Sequence, residues 1–173
     1  IDTYPDFRLD AAKVEAAITP RTKAILANSP ANPTGRASPR RELEALAELA
    51  RRKGVLLISD EIYRSFSYDE PFWSPAHANP DTLVIDGFSK SHAMTGWRVG
   101  WAIGPVDLAR HLHNLFLCML YGSPGFVQDA ALAAIRDASG EVETMRETYR
   151  RRRDLVAPWL DRLRGLRCRL PDG

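Results

Sequence analysis

Cysteine is scarce in this chain: Cys118 and Cys168 are the only two in 173 residues. They form neither a C-x-x-C pair nor a zinc spacing, which fits a reducing, cytoplasmic setting. The four histidines have no metal-ligand pattern either; His111 and His113, two apart, diverge on a helix. No apolar run reaches membrane-spanning length, and Ile1-Asp2-Thr3-Tyr4 does not begin a signal peptide. A formal net charge of +2 demands no polyanionic partner, so neither nucleic acid nor membrane is expected as one. Internal repeats and low-complexity tracts are missing, as is an initiator methionine. The end, Arg169-Leu170-Pro171-Asp172-Gly173, is a turn signal. Both ends read as cut, and the expectation is an internal piece of a longer protein. What is present is ordinary globular composition, 45% hydrophobic, enough for a buried core.

The pattern alternates strands with helices. Asp10 is placed to cap a short helix to Ile18, and Thr22–Asn28 is a strand candidate ending in the loop Ser29–Gly35. Ser38 and Pro39 open a helix whose stripe is Leu43, Leu46, Ala47 and Ala50, closed by Gly54. The continuous apolar run Val55–Ser59 suits a buried parallel strand, with Asp60 at its carboxyl end. Thr82–Asp86 and Val99–Ile103 are further strands. Pro105 opens a helix with Leu108, Leu112, Leu115, Phe116 and Met119 on one face. Ser123-Pro124 starts another helix, and a long charged one runs from Glu141 to about Leu163 with Met145 and Tyr149 among its apolar positions. Such alternation implies parallel βα units, hence an α/β sheet covered by helices.

The chemistry concentrates in Gly87–Gly100. Lys90 follows a strand, and Arg98 stands eight residues later in a glycine-punctuated segment. A lysine in an enclosed site can shed its proton and condense with an aldehyde. A nearby arginine can grip a phosphate through its planar fork. Aldehyde plus phosphate describes pyridoxal 5′-phosphate. Two other segments, Asn28–Gly35 and Ser59–Tyr63, also follow strands. In open α/β sheets ligands collect beyond strand carboxyl ends, so all three segments are placed to face one crevice.

Together the patterns N-P-T-G (Asn32–Gly35), D-E-x-Y (Asp60–Tyr63) and S-K-x-x-x-x-x-G-x-R-x-G, whose Ser is Ser89, resemble the class I/II aminotransferases, the fold-type I pyridoxal-phosphate enzymes. The resemblance spans essentially the whole chain. It implies a three-layer α/β fold with a mostly parallel sheet between helices: residues 1–140 as part of the large domain, 141–164 as a connecting helix, and 165–173 as the start of a small domain. It makes Lys90 the Schiff-base lysine and proton carrier, and Asp60 the partner of the pyridinium nitrogen. Asn32 and Tyr63 become donors to the phenolic oxygen, and Arg98 the phosphate ligand. Ser89 is a weaker match for a phosphate-contacting serine, since the family position three residues before the lysine is Gly87 here. Trp97 and His92 read as packing residues. Tyr121–Pro124 resembles the loop that reaches the neighbouring subunit in family dimers, although a simple cap by Ser123 explains it equally. The phosphate-cup loop, the ring-stacking aromatic and the carboxylate-binding arginine of the family have no match in these residues.

The implied activity is amino-group transfer between an amino acid and a 2-oxo acid by a homodimer. Leu117–Pro124 and Tyr149–Asp154 look most like arginine–pyruvate transaminases. The alternatives are a C–S lyase or cyclopropane-forming synthase with the same cofactor residues, or the aminotransferase-like sensing domain of a transcription regulator. Arg150–Arg153 invites a nucleic-acid reading. Yet Glu141–Gly173 holds nine arginines against six acids, and consecutive helical positions diverge. A solvated face pairing with Glu143, Glu147 and Asp154 is expected instead.

Overall fold

The computed structural model describes residues 1–173. Four strands form one sheet in the order β1 (Ala24–Asn28), β2 (Leu56–Asp60), β3 (Leu83–Gly87) and β4 (Gly100–Ile103). β1, β2 and β3 are parallel, with Asn28 beside Asp60 and Asp60 beside Ile85. β4 runs antiparallel to β3, pairing Gly100 with Gly87. Strand β4 thus departs from the simple βα alternation. The segment between β3 and β4 carries Lys90 and Arg98 and holds only a four-residue helix and a single 3-10 turn, no helix that could cross back over the sheet.

Helix α1 (Ala11–Ala17) begins where expected: the Asp10 carboxylate accepts the Ala12 N–H at 2.9 Å. Helix α2 (Arg40–Lys53) starts after Pro39, whose extended backbone makes it the cap, so the capping role expected of Ser38 is not realised. The Ser38 N–H instead takes the Ser29 hydroxyl at 2.9 Å, tying the Asn32 loop to the strand before it. Gly54 ends α2 at φ 62°, where a side chain would be strained. One face of α2 packs Leu46, Ala47, Leu49 and Ala50 onto Ala27 and Leu57, with Val14 of α1 closing the core. On the other face of the sheet Leu26 is 70% exposed and Ile85 is also open.

The short helix α3 (Phe88–Ser91) follows β3 directly. Helices α4 (Val106–Leu120), α5 (Gly125–Asp137) and α6 (Ser139–Asp161) complete the chain. The stripe expected to bury α4 does not do so within these residues: Met119 is 68% exposed and Leu115 is exposed. Ser123 is not the cap of α5; Pro124 holds that position and no side chain caps it. The Ser123 carbonyl accepts from Gln128 instead. No helix is long and apolar enough to cross a membrane.

The arginines of α6 divide. Arg150 pairs with Glu147 at 3.2 Å, as a solvated face would. Arg153 contradicts that reading: only 8% of its side chain is exposed, and it reaches Asp69 as well as Asp154. The Arg146 head donates to the Ser67 and Tyr68 carbonyls at 2.9 and 3.1 Å. These two arginines fasten α6 to the loop after Tyr63.

Candidate active site

The carboxyl ends of β1, β2 and β3 deliver the three segments to one edge of the sheet. After β1, the Asn28 side chain is a splint: its Nδ2 donates to the Asp60 carbonyl at 3.2 Å, and its Oδ1 accepts the Asn32 N–H at 2.8 Å. After β2, the chain turns so that the Tyr63 hydroxyl meets Asn32 Nδ2 at 3.3 Å. After β3, α3 presents Lys90, whose Nζ lies 5.8 Å from the centroid of the Tyr63 ring. A cavity of about 550 Å³ opens between Asn32, Tyr63, Ser89 and Lys90, within the usual range for small-molecule sites. Phe66, Tyr68, Met145 and Tyr149 line it as well.

Four of the six residues singled out by sequence therefore share one cavity. Arg98 does not line it. It faces an adjoining cleft of about 230 Å³, and Ser89 is the residue common to both. Arg98 sits in the left-handed region at φ 52° and donates to the Thr95 carbonyl at 3.0 Å, without a carboxylate partner. Asp60 lines neither space. As the last residue of β2 it lies in register with Asn28, on the same sheet face, and its Oδ1 accepts the Ile62 N–H at 3.2 Å.

Two glycines explain how close these parts come. A Cβ on Gly100 would stand 2.7 Å from the Asp86 carbonyl oxygen, and one on Gly87 would stand 3.0 Å from the Gly100 Cα. Only bare backbone lets β4 approach the lysine turn this closely.

Behind the site are two buried carboxylates that sequence reasoning passed over. Glu61 is 1% exposed. Burial pushes its carboxyl above the usual range, opposed by the Ser74 and Ser59 hydroxyls at 2.5 and 3.0 Å. Asp86 is likewise raised by burial, opposed by the Gly87 N–H at 2.7 Å and by Arg64 at 2.8 Å. Arg64 adjoins Tyr63, and Asp86 precedes the lysine turn, so this ion pair joins two walls of the site.

All 173 residues match the family model described as aminotransferase class I and II. The chain belongs to that family. It is 52% identical to arginine–pyruvate transaminase AruH of Pseudomonas aeruginosa, over 96% of this chain and 43% of that protein. It is 41% identical to the aspartate/prephenate aminotransferase of Thermus thermophilus, over 100% of this chain and 46% of the relative. Among solved structures, a tetra mutant of Thermus thermophilus aspartate aminotransferase complexed with tryptophan superposes with TM-score 0.96 at 41% identity. It covers 100% of this chain and 47% of that one. The aspartate aminotransferase of Rhizobium meliloti gives 0.92 at 38% identity, covering 100% and 45%. The chain thus spans somewhat less than half the length of the relatives it matches.

The part of the cavity's lining that sequence reading missed is Phe66, Tyr68, Met145 and Tyr149. Met145 and Tyr149 were legible only as apolar positions of a helix, and Phe66 and Tyr68 drew no reading; none carries a motif. Their one signal was the i, i+4 spacing of Met145 and Tyr149 on an otherwise charged helix. His92 packs as expected, its ring 5.1 Å from that of Phe88, and Trp97 stands 6.4 Å from Phe126. Both cysteines are free, and no cluster of metal-ligating side chains forms.

Proposed function

We propose that this chain forms the central part of a pyridoxal 5′-phosphate-dependent aminotransferase, acting on an amino acid and a 2-oxo acid. One observation carries the reading: in a chain of this family, the Lys90 amine, the Tyr63 ring and the Asn32 amide converge on one cavity of suitable size. The donor set fits the cofactor. An amine without a carboxylate partner suits an aldehyde, two neutral donors suit a phenolic oxygen, and an unpaired guanidinium suits a phosphate.

In this proposal Lys90 Nζ holds the cofactor covalently, and Asp60 keeps a proton on its ring nitrogen. Asn32 Nδ2 and the Tyr63 hydroxyl hold the phenolic oxygen ionised, while Arg98 and Ser89 bind the phosphate. When bound, the cofactor supplies an electron sink for the carbanion left by α-proton loss. Lys90 Nζ, which lines the same cavity, would be the base that accepts the substrate's α-proton and carries it back. Phe66, Met145 and Tyr149 give the cavity apolar lining beside these groups.

The 52% identity to an arginine–pyruvate transaminase supports arginine as donor and pyruvate as acceptor. A homodimer in the cytoplasm is part of the same proposal, with 141–164 as the link between a large domain and a small one. A C–S lyase with the same cofactor residues is the second reading, resting on the fact that Lys90, Asp60 and Arg98 serve the shared carbanion and not its fate. In a protein of the relatives' full length containing these residues, borohydride is expected to fix the cofactor to Lys90. Lys90→Ala is expected to abolish that capture, and capture at another lysine refutes the assignment. Pyruvate converted to alanine at the expense of arginine supports the donor assignment. Ammonia and pyruvate released without an acceptor would favour the lyase.

A further inference from the structure

The last three residues return to the loop that carries Asn32. The Asp172 and Gly173 N–H groups donate to the Gly35 carbonyl at 2.8 and 2.9 Å. The Asp172 carboxylate takes Arg36 Nη1 at 2.8 Å and the Ala37 N–H at 3.3 Å. The loop also closes on itself, with Gly35 N–H to the Ala31 carbonyl at 2.8 Å and Ala31 N–H to the Arg36 carbonyl at 2.9 Å. Gly35 is at φ 65°, and a Cβ there would meet Pro171 Cβ at 2.5 Å, so the two segments touch at backbone distance.

The clamp is anchored on both sides. The Arg36 side chain is only 13% exposed and shares its charge with Glu42 of α2 at 3.5 Å. Glu42 in turn takes Arg8 at 2.9 Å. On the far side Arg153 of α6 donates to the Pro171 carbonyl at 2.9 Å, and the Tyr68 N–H donates to the Asp172 carbonyl at 3.0 Å. Arg8, Glu42, Arg36 and Asp172 thus form a line of alternating charge that runs from α2 past the Asn32 loop to the end of the chain.

We infer that Arg36 and Asp172 are positioning residues that fix Asn32 against Tyr63 and thereby tune the proton affinity of the cofactor's bond to Lys90. This rests on the functional reading above. The physical route is short. Asn32 and Tyr63 stabilise an ionised phenolic oxygen by donating to it, and a loosened Asn32 donates less well. An oxygen with fewer donors holds a neighbouring proton more tightly, so the titration midpoint of the lysine-bound cofactor rises. The titratable groups lining the cavity are Lys90, Tyr63, Tyr68 and Tyr149; Arg36 and Asp172 are not among them. Their contact with the site is through the loop.

The test uses a protein of the relatives' full length containing these residues, with Asp172→Asn, Arg36→Gln and, as reference, Asn32→Ala. The pH midpoint of the bound cofactor's visible absorption is expected to rise in all three. The rise in the first two is about 0.3–1 pH unit, the equivalent of part or all of one hydrogen bond. Asp172→Asn removes a negative charge and Arg36→Gln a positive one. Shifts in the same direction mark a loop effect; shifts in opposite directions mark a field effect and overturn the inference. Without cofactor, amide hydrogen exchange across residues 31–37 is expected to speed up at least about tenfold in both variants. Arg36→Lys, which keeps the charge but loses the fork, serves if Arg36→Gln does not fold, with the same expected rise. Borohydride capture at Lys90 with unchanged midpoints refutes the clamp alone. No capture at Lys90 in the unsubstituted protein refutes the functional reading and the clamp with it.

Discussion

A single added methyl at Gly100 tests whether β4 is held where the site needs it. A Cβ there would lie 2.7 Å from the Asp86 carbonyl oxygen and 3.3 Å from Gly87 Cα, against ordinary contact beginning at 3.4 Å. Both neighbours are backbone, so no side-chain rotation relieves the contact and β4 must shift by about 0.7 Å. Overpacking of this kind costs about 1–3 kcal/mol. The shift is transmitted two residues back to Arg98, so the phosphate binding proposed for Arg98 is expected to weaken along with the sheet edge. Gly140 in α6 is the control, since nothing lies within 4 Å of a Cβ built there. Gly140→Ala leaves stability unchanged or raises it by up to about 1 kcal/mol. Urea unfolding of the two variants beside the parent, with phosphate binding by calorimetry, reads both consequences. Equal stability for Gly100→Ala and the parent would refute the claim that close backbone approach sets the position of β4.

Other substitutions probe the core and the buried carboxylates. Leu57 is fully buried between α2 and the sheet, so Leu57→Ala is expected to cost about 2–5 kcal/mol in urea unfolding. Glu61 has its carboxyl raised by burial above the usual 4.5. The folded state therefore holds a proton that the unfolded state has released, and stability falls as pH rises from 4.5 through the raised value. Glu61→Gln keeps an acceptor for the Ser59 and Ser74 hydroxyls and is expected to flatten that decline; a curve above pH 4.5 as steep as the parent's would refute it.

Much of this arrangement was legible because local signals and tertiary placement agree. Asp60 and Lys90 stand just past apolar runs, and a strand's carboxyl end is where an α/β sheet offers its ligands a crevice. The N-P-T-G turn delivers Asn32 through loop chemistry that sequence shows directly. The misses have a common physical origin in long-range contacts. Asp172 meets Arg36 across 136 positions, and no periodicity reports such a meeting. Arg153 looked like one more solvated charge until the structure placed Asp69 and the Pro171 carbonyl around it. The antiparallel β4 was hidden because an apolar run announces a strand and is silent on its direction. Ser38 and Ser123 carried capping chemistry, yet the proline after each has a non-helical ψ and so holds the cap position itself, one residue later than expected.

Helix α6 separates two duties along its length. Arg146 and Arg153 moor the rod, while Met145 and Tyr149, one turn apart, form part of the chamber's ceiling. Exchanging those two ceiling side chains for smaller or larger ones would retailor the chamber for a different guest without casting off the moorings. Such a layout lets bulk be traded at two places on one helix while Asn32, Tyr63 and Lys90 stay untouched.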